Sequence, residues 1–321
     1  MMVTVLMLVL VGAGALAVDI GRIAAYKAQI QNGADASALA VAAYCAKNKT
    51  SCTTTGASLA NQYTPANSNG GTAVPASVTF PTSTSVRVVS SSPAGGLQLT
   101  LANALNIDSQ VVEAAATAVW KPPGGDGGFP LALSDSCFDL ANASNSGDLQ
   151  KFSYKPGSGK NATPTNMQCT RNASGQTVPG GWGWLKESDP CEATTSANGT
   201  IPSDPGNDPG DCKTILEGWI STLSQNKPVE VLFPVFSYAD YQGNSAQYHI
   251  LGYATLQIYA WQFSGTGNSP YTYMPGSIPA KVKCTGSERC VVGKFVRFVT
   301  TEAETGPGGK DYGSYAVALT Q

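Results

Sequence analysis

The chain has 321 residues, of which 12% are charged, with a formal net charge of −2, 35 glycines and 20 prolines. Typical soluble domains are about one-quarter charged, so this surface is built from Ser, Thr, Asn and Gly turns and does not resemble the charged skin of a cytosolic enzyme. There is no basic field to attract phosphates, which excludes nucleic acid as a partner, and the length accommodates two domains.

Residues Met1 to Val18 contain no ionisable side chain. At about 1.5 Å per residue they make a rod of roughly 27 Å, the thickness of a bilayer core, which predicts a membrane-spanning helix. A cleaved signal peptide would show a basic start and a break; the missing basic flank suggests a processed or truncated start. From Asp19 to Ala46 there is no proline, and only Gly21 and Gly33 weaken the helix, each by about 1 kcal/mol relative to Ala. One helix of about 70 Å follows. Gly12, Ala13, Gly14, Ala15 and Ala17 allow helix backbones to approach closely. Ile20, Ile23, Ala24, Ile30, Ala34, Ala38, Val41 and Ala42 leave a stripe that can face another helix or the chain's own head. A membrane anchor with a stalk and an assembly helix both fit these residues. Asp19 needs a cation in any bundle, and Arg22 lies three residues on along the same face. The pair either marks the membrane boundary or sets register between subunits, with Lys27 or a neighbouring subunit's terminal amine as competitors for the carboxylate.

Beyond this helix, "GASLANQYTP" is compatible with a second, shorter one. Ala73–Phe80, Ser85–Ser91 and Gly96–Leu101 alternate as strands of a small antiparallel sheet, which "DSQVVEAAATAVW" closes as a fourth. "KPPGGDGG" (121–128) reads as a linker able to sustain neither helix nor ladder. From Phe129 the chain is β-rich, with strands expected at Val229–Tyr238, Tyr248–Phe263, Ser277–Lys283, Val291–Thr301 and Tyr312–Leu319. One helix, "DCKTILEGWISTLSQ", has Asp211 as its N-cap candidate and packs Ile215, Leu216, Trp219 and Leu223 on one face. Residues 137 to 212 read mostly as loop held by disulfides.

Eight cysteines, Cys45, Cys52, Cys137, Cys169, Cys191, Cys212, Cys284 and Cys290, form no CxxC pair, and His249 is the single histidine. A zinc site is thereby disfavoured, and an even count in this composition indicates disulfides made outside the cytoplasm. Proximity suggests Cys45–Cys52, Cys284–Cys290 and Cys191–Cys212, leaving Cys137–Cys169. His249 has no second histidine and no GxSxG elbow to act with, so it reads as structural and a secreted hydrolase is the least supported reading. Asp204, Asp208 and Asp211 could offer oxygens to calcium, but their spacing misses the EF-hand loop. Trp182 and Trp184 in "PGGWGW" are a candidate ligand contact if exposed, or core residues if they pack beneath a loop. Five N-x-S/T triplets begin at Asn48, Asn142, Asn161, Asn172 and Asn198, a pattern common in Asn- and Ser-rich loops. There is no phosphate loop, dinucleotide fingerprint or redox motif, and neither catalytic residue nor cofactor is expected.

The run "AVDIGRIAAYKAQIQNGADASALAVA" resembles the N-terminal signature of TadE/TadG-like proteins of Flp-type (tight adherence) pilus systems. The likeness covers roughly residues 3 to 43 and rests on Asp19, Gly21, Arg22, Gln31, Asn32, Ala34, Asp35, Ala36, Ala38, Leu39 and Ala40 in that order. Farther on, "VVEAAATAVWKPPGG", "PGGWGWL", "VLFPVF", "YHILGYATLQI" and "CTGSERCVVGKFVRFV" resemble the actinobacterial TadG-related branch. The resemblance implies a surface-filament role. One departure is that polymerising pilins of this kind carry a glutamate five residues into the mature helix, whereas Val5 stands there if Met1 is the mature start.

The expected organisation is α+β: a long pilin-like helix over residues 1–52, a small antiparallel β module over 53–121, a Pro/Gly linker over 122–128 and a disulfide-stabilised β-rich head over 129–321. The expected function is a structural subunit of an extracellular bacterial pilus-like filament. It would be stored in the membrane, delivered by the pilus secretion machinery and polymerised with copies of itself through Met1, Val5, Gly12, Gly14, Asp19, Arg22, Ile23 and Ile30. The alternative is a membrane-anchored minor pilin or adhesin head that binds a surface ligand.

Overall fold

The computed structural model describes residues 2–99, 102, 108–138, 140, 149–154, 171–172, 174–180, 182–204, 210–241, 245–263, 268–300 and 308–320, although within the first helix most side chains before Ala17 fall outside this set. The protein is α+β, and its chain divides into two compact units, residues 1–120 with 317–321, and residues 121–316.

The first unit starts with α1 (Met2–Lys47), followed after a four-residue turn by α2 (Cys52–Ala66). No proline interrupts α1, and α2 ends at Ala66, one residue after Pro65. The Cys45–Cys52 disulfide ties the two helices together at the turn. Ile30, Ala34, Ala38, Val41, Ala42, Cys45 and Ala46 of α1 are all but fully buried, as are Gly56, Ala60 and Thr64 of α2. These are small side chains, so the helix axes can come close: a Cβ built on Gly33 would lie 2.8 Å from the Thr64 carbonyl oxygen, and one on Gly56 would lie 3.2 Å from Val41 Cγ1. Inside this seam the hydroxyls of Ser37 and Thr64 share a buried hydrogen bond of 2.6 Å, which satisfies both polar groups without water. The apolar stripe therefore packs against its own unit from Ile30 onward, while Ile20 and Ala24 stay exposed.

A sheet covers these helices. It runs β1 (Val74–Thr82), β2 (Ser85–Ser91) and then, after the short antiparallel pair β3 (Leu97–Gln98) and β4 (Ser109–Gln110), β5 (Glu113–Lys121). Ala114, Ala116, Ala118 and Trp120 of β5 alternate inward, matching Val86 and Val88 of β2. The third expected strand, Gly96–Leu101, shortens to two residues. Gly95 and Gly96 adopt left-handed φ values of 94° and 66° and turn the chain just before it, and a Cβ on Gly96 would meet the Gln110 carbonyl oxygen at 2.8 Å.

The second unit holds β6 (Gly125–Gly128), β7 (Leu131–Ser134), β8 (Gln150–Ser153), β9 (Trp182–Trp184), β10 (Ala193–Ser196), β11 (Thr200–Pro202), α3 (Lys213–Ser224), β12 (Val229–Asp240), β13 (Gln247–Gln262), β14 (Thr272–Tyr273), β15 (Cys290–Val296), β16 (Phe298–Thr300), β17 (Lys310–Asp311) and β18 (Ser314–Thr320). The last strand ends in the first unit, where its final residues flank β5. The long β12–β13 hairpin is the spine of a sheet ordered β8–β15–β13–β12–β7–β9. Its core is aromatic: Phe129 lies 4.9 Å from Trp219, 5.7 Å from Phe233 and 5.8 Å from Phe263 between ring centroids.

Several expectations are corrected here. The glycines of the 121–128 stretch do form a ladder, β6 with β10, because bare backbone fits where side chains would not; a Cβ on Gly128 would sit 3.1 Å from the Leu232 carbonyl oxygen. Ser277–Lys283 is not a strand. Two turns closed by Ile278 N–H to Pro275 O and Val282 N–H to Pro279 O drop Ile278 and Val282 into a small core, which mimics strand alternation. The N-cap position of α3 falls on Cys212, which makes no side-chain cap hydrogen bond, while Asp211 lies in the 3₁₀ turn Gly210–Cys212, and Ile215 is 44% exposed while Leu216 is buried. The 137–212 region contributes β8, β9, β10 and β11, strands too short to announce themselves by alternation. Cys191–Cys212 and Cys284–Cys290 are bonded, and Cys137 is disulfide-bonded to a partner outside the described residues.

Candidate functional site

The helix α1 changes character along its length. From Ile30 on, one face is sealed by its own unit; toward the N-terminus Val3 is 71%, Val18 53% and Ile20 58% exposed. Nothing lies within 4 Å of a Cβ built on Gly14 or Gly21, in contrast to Gly33. Of the residues expected to drive assembly, Met1 and the side chains of Val5 and Gly12 lie outside the described set, as do most side chains of the expected membrane span. Among the described residues no helix is long and apolar enough to cross a membrane. Ile23 is half-buried and packs with Tyr26 against a cluster of Ile30, Ala73, Val112 and Ala114.

Asp19 departs from its exposed neighbours in being 3% exposed. Its Oδ2 accepts a hydrogen bond of 2.7 Å from the Ala102 backbone N–H, and Arg22 Nη1 stands 4.0 Å from its Oδ1. The carboxylate thus turns into its own unit, where the amide and the guanidinium offset its desolvation. Sequence spacing points to Arg22; nothing in the sequence points to an amide 83 residues away. Gln31 and Asp35, both within the pilus-like motif, hydrogen-bond each other at 2.7 Å, and the Gln31 amide also donates to the Ala115 carbonyl of β5 at 3.2 Å. These motif residues fix α1 to the sheet.

The remaining candidates are placed in the second unit. Trp182 is 2% exposed and Trp184 half-buried, and both rings lie against Phe263, at 5.8 and 5.3 Å. Trp182 belongs to the core and Trp184 packs against it, which fits the core alternative of the two. His249 stacks on Tyr238 at 3.9 Å, and its Nε2 lies 2.6 Å from Asp240 Oδ2. No serine or cysteine nucleophile addresses that ring among the described contacts. Asp208 lies outside the described residues, and among those described no group of His, Cys, Asp and Glu is placed to hold a metal ion.

Two charged nodes escape sequence reasoning because their partners are more than 130 residues apart. Glu288 accepts from Lys151 Nζ at 2.9 Å, from Ser153 Oγ at 2.7 Å and from the Thr285 N–H at 3.2 Å. Burial alone would raise its pKa, but these donors and the Lys151 charge together hold it below the ordinary carboxylate value. Asp135 Oδ2 accepts from Tyr312 Oη at 2.9 Å and Lys310 Nζ at 3.0 Å. Burial first, then the Asp135 charge, push the Tyr312 phenol well above its usual range.

Residues 1–43 match the family model described as "Putative Flp pilus-assembly TadE/G-like". No curated protein and no solved structure matches the chain.

Proposed function

We propose that this chain, TadE/TadG-like over residues 1–43, is a structural subunit of an extracellular pilus-like filament. It is held in the membrane before assembly, handed on by the pilus secretion machinery, and packed with copies of itself through the N-terminal part of α1. The β-rich unit is displayed outward.

The observation that carries this reading is the change along α1. A helix of 46 residues has a continuous buried face only from Ile30 onward, whereas Val3, Val18 and Ile20 before that point are more than half exposed. An apolar rod in water is unstable, and both a bilayer and a bundle of sister helices cover it. Moving from one to the other exchanges one oily surrounding for another, so close fit between backbones decides the outcome. Gly14, with open space around it, is where a neighbouring backbone can approach.

Electron microscopy of surface material shed from cells, with the chain labelled by antibody, is the test. Filaments with this chain as the repeating unit are expected, and Gly14→Leu is expected to abolish them while leaving the thermal unfolding of the protein unchanged. A chain that is found solitary, or filaments indifferent to Gly14→Leu, would overturn close helix packing as the mode of assembly. A solitary chain that binds surface glycans would support the adhesin alternative.

A further inference from the structure

We propose that the second unit carries opposite charge at two separated places, and that in the filament the basic patch of one copy seats on the acidic patch of the next; this rests on the filament reading above. The formal charge of −2 is unevenly spread. Residues 277–300 hold five basic side chains and one acidic, whereas residues 186–217 hold seven acidic and two basic. The fold keeps these segments apart. β15, within the basic segment, pairs with β13 over Thr255–Gln262, and β11, within the acidic one, pairs with the start of the same strand over Gln247–His249. Gln247 faces Pro202 and Gln257 faces Lys294. Ten residues of strand separate them, roughly 30 Å. No side chain spans that distance, so one copy cannot pair the two patches with each other.

Neither patch is neutralised from within. The one acid of the basic segment, Glu288, is taken up by Lys151, Ser153 and the Thr285 N–H. Lys281 is exposed, and Lys283, Arg289 and Lys294 are half-buried. Among the described residues none of these four has a carboxylate partner. Arg289 and Lys294 lie instead over the rings of Tyr154 and Tyr259, at 5.3 and 5.6 Å, which orders the side chains and leaves the charge in place. Lys281 and Lys283 flank Val282, which shares a small core with Val292 of β15, and the Cys284–Cys290 disulfide ties their segment to the first residue of that strand. The cations are thus carried on one body.

The acidic patch is gathered by the Cys191–Cys212 disulfide. Asp204 and Asp211 are exposed and, like the half-buried Glu187, have no cation partner among the described residues. Burial first, then the Asp211 and Asp204 charges, raise the Glu187 pKa and outweigh a hydrogen bond from the Cys191 backbone N–H. A cation brought by another molecule relieves that repulsion. A second copy supplies it, because the two patches of this chain are complementary to each other in charge. Contact between two different patches of identical copies is head-to-tail, the kind that extends into an open filament when it does not close into a ring. With only 12% of residues charged, few other groups compete with these patches in the long-range field.

Sedimentation velocity of the full chain in a nonionic detergent, which covers the apolar helix, tests the pairing. At low salt the wild-type sedimentation coefficient is expected to rise with concentration, and about 0.5 M salt is expected to weaken the association about tenfold or more. Lys281→Glu/Lys294→Glu makes both patches acidic, and Asp204→Lys/Asp211→Lys makes both basic. Each variant alone is expected to stay monomeric, and an equal mixture of the two to associate again, which also shows that both fold. A wild-type chain that stays monomeric at low salt, variants that associate alone as the wild type does, or a mixture that stays monomeric although each variant melts at the wild-type temperature overturns the pairing and leaves helix packing standing. A monomeric wild type that binds inorganic polyphosphate through Lys281 and Lys294 assigns the basic patch to an anionic polymer and likewise overturns it. Cells without filaments, from which the purified chain still associates and the mixture still recovers, overturn the filament reading and leave the pairing as a contact between copies.

Discussion

Single side chains in this protein are defined by what they reach across the fold, and Glu288 illustrates the consequence for stability. Its carboxylate balances Lys151, whose side chain is only 8% exposed. Glu288→Gln leaves that ammonium without a counter-charge, which is expected to cost about 2 kcal/mol. Because the folded pKa lies below the ordinary 4.5, the contribution of the carboxylate is complete above that value and is lost as pH falls through the folded pKa. Thermal unfolding followed from pH 7 downward should therefore show a gap between wild type and variant that is constant near neutrality and closes only as pH falls below the ordinary carboxylate value of 4.5. A gap independent of pH would mean that packing, and not charge, is what the variant loses. Trp182 makes the opposite point. It is 2% exposed among Trp184, Tyr154 and Phe263, so Trp182→Ala should destabilise by about 3–5 kcal/mol. Denaturant titration measures this, and loss of binding in that variant would be a symptom of unfolding. Of the two readings of the Trp pair, exposed contact or core beneath a loop, burial and ring packing fit the core one. Glycine next to tryptophan here reflects a tight core: a Cβ on Gly183 would overlap the Tyr248 ring.

At the scale of elements, the helices and the long strands were legible because their signals are local. An uninterrupted run without proline is enough for α1, and alternation of Val, Ile and Tyr over a dozen residues is enough for β12 and β13. Short strands were not legible. Trp182–Trp184 and Gly125–Gly128 are strands because neighbours offer an edge, and no period fits in three or four residues. Nor could periodicity show which part of the α1 stripe is covered, since Ile20 and Ile30 look alike in sequence and differ from 58% to 0% in exposure. The three glycines of α1 with described surroundings turn this into a prediction. Gly33→Ala would place a methyl 2.8 Å from the Thr64 carbonyl oxygen, and the strain of about 1–3 kcal/mol should exceed the gain of about 1 kcal/mol in helix propensity. Gly21→Ala meets nothing within 4 Å and should keep that gain, stabilising the unit by up to about 1 kcal/mol. Calorimetry of the two variants should give melting shifts of opposite sign. Two shifts of the same sign would contradict the α1–α2 packing described above.

For the whole molecule, the order in which the chain visits its units matters more than any one contact. Residues 1–120 form the first unit, the chain then builds the second, and residues 317–321 return to complete the first. Thr320 Oγ1 donates to the Thr117 carbonyl, and the end of β18 flanks β5. The last residues therefore cover an edge of β5, a strand made about two hundred residues earlier. A chain ended at Ala316 keeps every residue of the second unit but leaves the β5 edge unpaired, with its amides open to water and to other chains. Hydrogen exchange should then accelerate across Ala114–Trp120 of β5 while β12 and β13 keep their protection, because local opening follows the loss of local pairing. The same truncation should make the protein self-associate through that edge, visible as a concentration-dependent sedimentation coefficient. If exchange in β5 is unchanged, its edge is held by something other than the terminal residues, and the first unit is closed without them. If protection falls in β12 and β13 as well, the two units unfold as one, and the stability of the second unit depends on residues that belong to the first.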